Sequence, residues 1–139
     1  MKLSNYLFYG AYYLALKSVN HNDVVRSQEL KFYSLYALTY LSLFTTGYLL
    51  VISFLLEKIG CYPITSFRED FPIAYAAILL IVPAVTILGY FLHNNKYIDI
   101  ISCFDENPNL KKKAALSWVG YMAILIVLGM PVLYFISPD

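Results

Sequence analysis

With 139 residues, 60% hydrophobic and 14% charged, the chain is too apolar for an ordinary soluble domain of its size, in which about a quarter of residues carry charge. Mean hydropathy of +0.61 agrees. The net charge of +1 is split among separate segments, which excludes the concentrated basic surface that nucleic acid requires.

Residues 1–20 hold an apolar run, Leu3 to Leu16, interrupted by Ser4 and Asn5. A single leading Lys2, four tyrosines and no small-x-small site before Lys17 argue against a signal peptide. As a helix the run covers roughly 21 Å, short of a roughly 30 Å hydrocarbon core. It is read as an N-terminal interfacial amphipathic helix, with Tyr6, Tyr9 and Tyr13 on one face and Leu3, Leu7 and Leu14 on the next. Val19 to Asp23 break it, and Asn22 or Asp23 can cap the helix that follows.

From Phe32 to Leu56 there are 25 residues without a charge, the first transmembrane span. Its polar groups are hydroxyls, able to bond a backbone carbonyl or a neighbouring helix. Thr39, Ser42, Thr46 and Ser53 form a stripe, and Tyr33, Tyr36 and Tyr40 another at the inner end. Gly60, followed by Pro63, predicts the C-terminal cap.

Glu57 to Asp70 reads as a loop carrying start signals: Ser66 with Glu69 as a capping box, and Asp70 ahead of Pro72. The second span is 71–92, 22 uncharged residues with Pro83 near the middle. Pro83 removes a backbone donor, and Thr86 is at hand to satisfy local groups. Ala77 and Ala84 are small enough to admit a neighbouring helix.

Beyond His93, the apolar residues Tyr97, Ile101 and Phe104 share a face, predicting that the second span continues as an amphipathic helical extension over 93–113. Asn107 and Pro108 start the last helix, which runs through Lys111, Lys112 and Lys113 into the third span, 114–136. Trp118 and Tyr134 stand near its ends, where aromatic belts form.

Eight of the ten basic residues fall on the side of the N-terminus and the 93–113 segment, with only Lys58 and Arg68 opposite. The positive-inside rule therefore places the N-terminus in the cytoplasm and the C-terminus outside. Cys61 and Cys103 then stand on opposite sides and cannot pair.

The spans contain no Asp, Glu, Lys, Arg or His, which disfavours proton relays and ion-coupled transport. No HExxH, CxxC, GxxxxGK[ST], GxGxxG or GxSxG is present, so no catalytic residue, metal or cofactor is expected. His21, Asp23 and His93 are the residues that an interfacial enzyme would use, the least favoured reading. Arg26, Lys96, Lys111, Lys112 and Lys113 are candidate contacts to an anionic ligand or lipid. Thr39, Ser42, Thr46, Ser53, Ala77 and Ala84 are helix-packing or pore-lining candidates.

The stretch from Asn95 to Lys113, NKYIDII followed by FDENPNLKKK ahead of a terminal span, resembles a pattern in small uncharacterised multi-spanning bacterial membrane proteins. That resemblance implies a bacterial inner membrane and carries no activity with it. The reading is an all-α integral membrane protein, a single membrane domain with an interfacial helix and three transmembrane helices, the last two a hairpin with a cytoplasmic helical extension. Arg26, Glu29, the Tyr97, Ile101 and Phe104 face and the N-terminal helix can assemble a small cytoplasmic cap. Its expected role is a non-enzymatic, self-associating or accessory membrane subunit, partnered by the lipid bilayer and by its own copies or another membrane protein. The alternative is an oligomeric pore-forming or membrane-perturbing effector gated through the cytoplasmic face.

Overall fold

The computed structural model describes residues 2–19, 27–60 and 62–136. Among them the secondary structure is entirely helical, in the order α1 (Leu3–Val19), α2 (Ser27–Ile59), α3 (Tyr62–Asp70), α4 (Pro72–Leu92), a 3-10 turn (His93–Asn95), α5 (Lys96–Asp105) and α6 (Pro108–Ile136). Three stretches within it, Glu29–Ile59, Pro72–Asp105 and Pro108–Val132, are long and apolar enough to cross a membrane. The chain is thus compatible with a multi-pass membrane protein. His21, Asp23, Arg26, Cys61 and the three C-terminal residues lie outside the described residues.

α2 is the longest element, 33 residues or roughly 50 Å at 1.5 Å per residue, and both α4 and α6 pack on it. α4 and α6 follow each other in the chain through α5, but their packing is with α2 rather than with one another. The expected cap at Gly60 is present: it takes φ +96, open to glycine at no steric cost, and its amide donates to the Glu57 carbonyl at 3.0 Å.

Three local expectations are corrected. The 57–70 loop folds mostly as α3, with Pro63 in its first turn, where a missing N–H costs nothing. Ser66 is inside that helix and donates to the Pro63 carbonyl at 3.3 Å instead of capping α4. Arg68 reaches back 3.0 Å to Glu57 and ties α3 to the end of α2.

The second span does not continue straight into α5. Asn94 and Asn95 both take left-handed backbone, φ 53 and φ 54, a conformation that Asn tolerates better than most residues. Two such residues in succession end α4 and redirect the chain, so α5 folds back under the bundle. Its Tyr97, Ile101 and Phe104 face is buried, as the periodicity requires, and Ile100 joins it. Asn107 caps α6 as expected, its Oδ1 accepting the Asn109 amide at 3.1 Å.

The third correction concerns α1, which carries much of the core. Phe8, Tyr9 and Tyr12 are shut off from solvent, and α1 packs against α2, α5 and α6. Its tyrosine face meets protein: Tyr9 stacks on Phe104 with centroids 4.6 Å apart, and Tyr6 meets the same ring edge-on at 5.1 Å. Trp118 belongs to this core rather than to a lipid-facing belt, while Tyr134 is 80% exposed. The close approach of α1 to α6 depends on Gly10, where a Cβ would stand 2.3 Å from the Ala114 carbonyl oxygen and 2.6 Å from Trp118 Cβ. The molecule therefore has a dense aromatic end and thinly packed spans: 33% of the most apolar window of α2 is buried, against 11% for α4 and 6% for α6.

Candidate functional site

Two features bring chemistry-bearing side chains together: a hydroxyl seam along α2, and the end of the bundle where α1 meets the α4–α5 bend. In the seam, the α2 hydroxyls face two helices. Thr46 is buried and donates to the Ser42 carbonyl of its own helix and to the Leu79 carbonyl of α4, both at 3.0 Å. Pro83, four residues after Leu79, has no N–H for that carbonyl, so Thr46 supplies the missing donor across the interface. Further along, Ser53 pairs with the Tyr75 hydroxyl of α4. Toward α6, Thr45 pairs with the Tyr121 hydroxyl at 2.9 Å, and the Tyr48 hydroxyl donates to the Tyr121 carbonyl.

The seam selects among the expected packing residues. Thr46 and Ser53 reach across to α4, whereas Thr39 and Ser42 bond carbonyls of α2 itself, those of Leu35 and Thr39 at 2.9 Å each. Ala77 and Ala84 are half-buried on α4. Thr45 is one of the first-span hydroxyls expected to bond a carbonyl or a neighbouring helix, whereas Tyr48, Tyr75 and Tyr121 are not singled out by the sequence. A hydroxyl beside Thr46 and tyrosines within apolar spans were the available signal, but which neighbour each would meet depends on helix rotation.

At the other feature, Asp105 ends α5 and joins three elements. Its Oδ1 accepts the Tyr9 hydroxyl of α1 at 2.6 Å and the Lys111 ammonium of α6 at 3.3 Å. Burial foremost, then the hydrogen bond to Asp105 and its charge, holds the Tyr9 phenol well above its usual range. Tyr12, buried beside it, is pushed up to about 12 by burial and then by the Asp105 charge. Both phenols stay neutral, and Tyr9 acts as a donor to Asp105, which suits structure rather than proton transfer.

Lys96 lies over the Tyr90 ring, 3.9 Å from its centroid, and Lys2 approaches the same ring at 5.5 Å. Of the other expected contacts, Lys111 is engaged by Asp105, Lys112 and Lys113 are exposed, and Arg26 is outside the described residues. His93 is exposed in the 3-10 turn, and its two proposed companions, His21 and Asp23, are also outside. Among the described residues no group of three or more His, Cys, Asp or Glu side chains is placed to hold a metal, and Cys103 is an exposed free thiol.

Compared with protein families, curated proteins and solved structures, the chain matches none. Its function is therefore argued from its own surfaces.

Proposed function

We propose that this chain is a non-enzymatic accessory subunit of the membrane, docking through the outer faces of α4 and α6 onto further copies of itself or onto another membrane protein. The observation that carries this reading is three glycines with no use inside the monomer. At Gly89 of α4 and at Gly120 and Gly129 of α6 a Cβ would meet nothing within 4 Å. Each such glycine costs a helix roughly 1 kcal/mol relative to alanine, and among the described residues no atom stands within 4 Å of a Cβ there to explain it. In a bilayer, where lipid tails are as apolar as leucine, glycine's contribution is to let a second helix backbone come near.

The thin burial of α4 and α6 fits the same reading, since it leaves most of both helices to lipid and partners. The distribution of basic residues favours the α1–α5 end as the cytoplasmic one, in a bacterial inner membrane by the resemblance of the 95–113 stretch. The pore alternative draws on the Thr39, Ser42 and Thr46 stripe of α2; Thr46 is committed to α4 of the same chain, whereas Thr39 and Ser42 bond only carbonyls of their own helix.

The test is native mass spectrometry of the complex extracted in mild detergent, for the wild type and for Gly89→Leu with Gly120→Leu. A Cβ at either position meets nothing within 4 Å among the described residues, so with circular dichroism showing an unchanged helical fold, a shift from a defined complex to a lone chain supports docking on these faces. A wild type that runs as a lone chain from its native membrane, or a complex indifferent to both leucines, removes the proposal.

A further inference from the structure

The end of α4 carries a second kind of site, independent of how α4 and α6 dock. A cleft of about 400 Å³ opens between the start of α1, α2, the last turns of α4 and α6, within the 300–1,000 Å³ typical of ligand pockets. Its inner wall is apolar, with Leu7, Leu41, Ile87 and Phe91. The hydroxyls that border it are satisfied elsewhere: Thr45 by the Leu41 carbonyl and Tyr121, Thr86 by the Val82 carbonyl at 2.7 Å. No polar group in that wall calls for a polar ligand.

The mouth is different in character. Tyr90 stands there with Lys2 over its ring and Ser4 beside its hydroxyl, and Lys96, just outside the cleft lining, reaches the same ring. Lys111 and Arg68 are neutralised by Asp105 and Glu57, but neither Lys2 nor Lys96 is in an ion pair among the described residues. Two ammonium groups thus converge on one aromatic ring from two separate segments, the start of α1 and the start of α5. Depth is set by α4, whose 21 residues span roughly 31 Å, about one hydrocarbon core. Tyr90, two residues from its end, falls at headgroup level, and Ile87 one turn deeper falls among acyl chains.

We propose that this cleft binds an anionic phospholipid, its phosphate held between Lys2 and Lys96 and one acyl chain lying along the Leu7–Leu41–Ile87 wall. The occupant combines the two chemistries that the site presents, negative charge at the mouth and hydrocarbon within. A bound lipid also stabilises the fold, because it bridges α1 to the α4–α5 bend and so links the two segments that supply the lysines.

The experiment is native mass spectrometry of the purified full chain with phosphatidylglycerol or phosphatidylcholine of matched acyl chains. Phosphatidylglycerol is expected to be retained in preference. Each lysine contributes about fivefold at a membrane surface, so Lys2→Gln with Lys96→Gln weakens retention about 25-fold, while Lys2→Arg with Lys96→Arg and the distant Lys58→Gln retain it. Ile87→Trp, which fills the inner wall and leaves the charges in place, lowers retention of long-chain lipid. Circular dichroism of each variant separates lost binding from lost fold. Equal retention of phosphatidylcholine, or unchanged retention in the double glutamine variant, overturns the proposal. So does displacement of the lipid by inorganic phosphate at comparable concentration, which assigns the site to a free anion.

Discussion

The Thr46 hydroxyl of α2 stands 3.0 Å from the Leu79 carbonyl of α4, the carbonyl that Pro83 leaves without a helical donor. A defect in one span is thereby repaired by the neighbouring span, and the repair ties the two together. In a hydrocarbon core, where no water can reach an open carbonyl, that coupling specifies register as well as affinity.

This pairing predicts an interaction between the two positions. Thr46→Val keeps the shape and removes the donor, and is expected to cost about 0.6–1.7 kcal/mol, the range of interhelical hydrogen bonds in membranes. In a Pro83→Ala background the helix regains its own N–H for Leu79, so Thr46→Val should cost close to nothing. Reversible unfolding in mixed micelles, followed by circular dichroism on all four members of the cycle, measures the difference. Equal costs in the two backgrounds would show that Thr46 is only packing.

A second prediction concerns the seat of α1. Gly10→Ala places a methyl group against the Ala114 carbonyl and Trp118 Cβ, both backbone-anchored and unable to move aside. Overpacking of this kind costs about 1–3 kcal/mol, and Gly10→Leu costs more. Trp118, the only tryptophan and 4% exposed, reports the outcome: its emission shifts red as α1 is lifted and the indole meets solvent or headgroups. If Gly10→Leu leaves both the emission and the stability unchanged, the packing of α1 on α6 is not a determinant of the fold.

What could be read from the sequence follows from which forces are local. Charge-free length located the three helices long and apolar enough to cross a membrane, and Gly60 and Asn107–Pro108 located helix ends, because each is a property of one segment. The amphipathic face of α5 was equally legible from its period. The seat of α1 was legible only in part. That the N-terminal helix could meet the Tyr97, Ile101 and Phe104 face follows from the sequence, but its tyrosines have the amphipathic character of interfacial residues, and their meeting with Phe104 and Asp105 from α5 makes them core. Likewise, helical periodicity over 93–104 runs on through Asn94 and Asn95, since a left-handed turn changes direction without changing the pattern of apolar residues. Among the candidate residues, Thr46 and Ser53 bond across to α4, while Thr39 and Ser42, of the same type, satisfy themselves on their own helix. Which hydroxyl crosses an interface is decided by the partner's open carbonyl or phenol, information held by another segment.

The third prediction is a pH dependence set by Tyr9. Burial and the bond to Asp105 make the folded phenol hold its proton more tightly than an unfolded one, whose pKa is 10.0. Its contribution to stability is therefore whole below pH 10 and falls as pH rises beyond that value, as the unfolded chain gains from ionising a group that the folded chain keeps neutral. Tyr9→Phe removes the hydrogen bond to a carboxylate, a loss of about 1.5–3 kcal/mol near neutrality, and with it this share of the alkaline decline. Unfolding free energies of wild type and variant between about pH 8 and 11 should thus converge as pH rises. Tyr12, itself pushed up to about 12, gives both proteins a common residual slope. Parallel curves across that range would mean that Tyr9 keeps an ordinary pKa and that the contact with Asp105 does not hold α1 against α5.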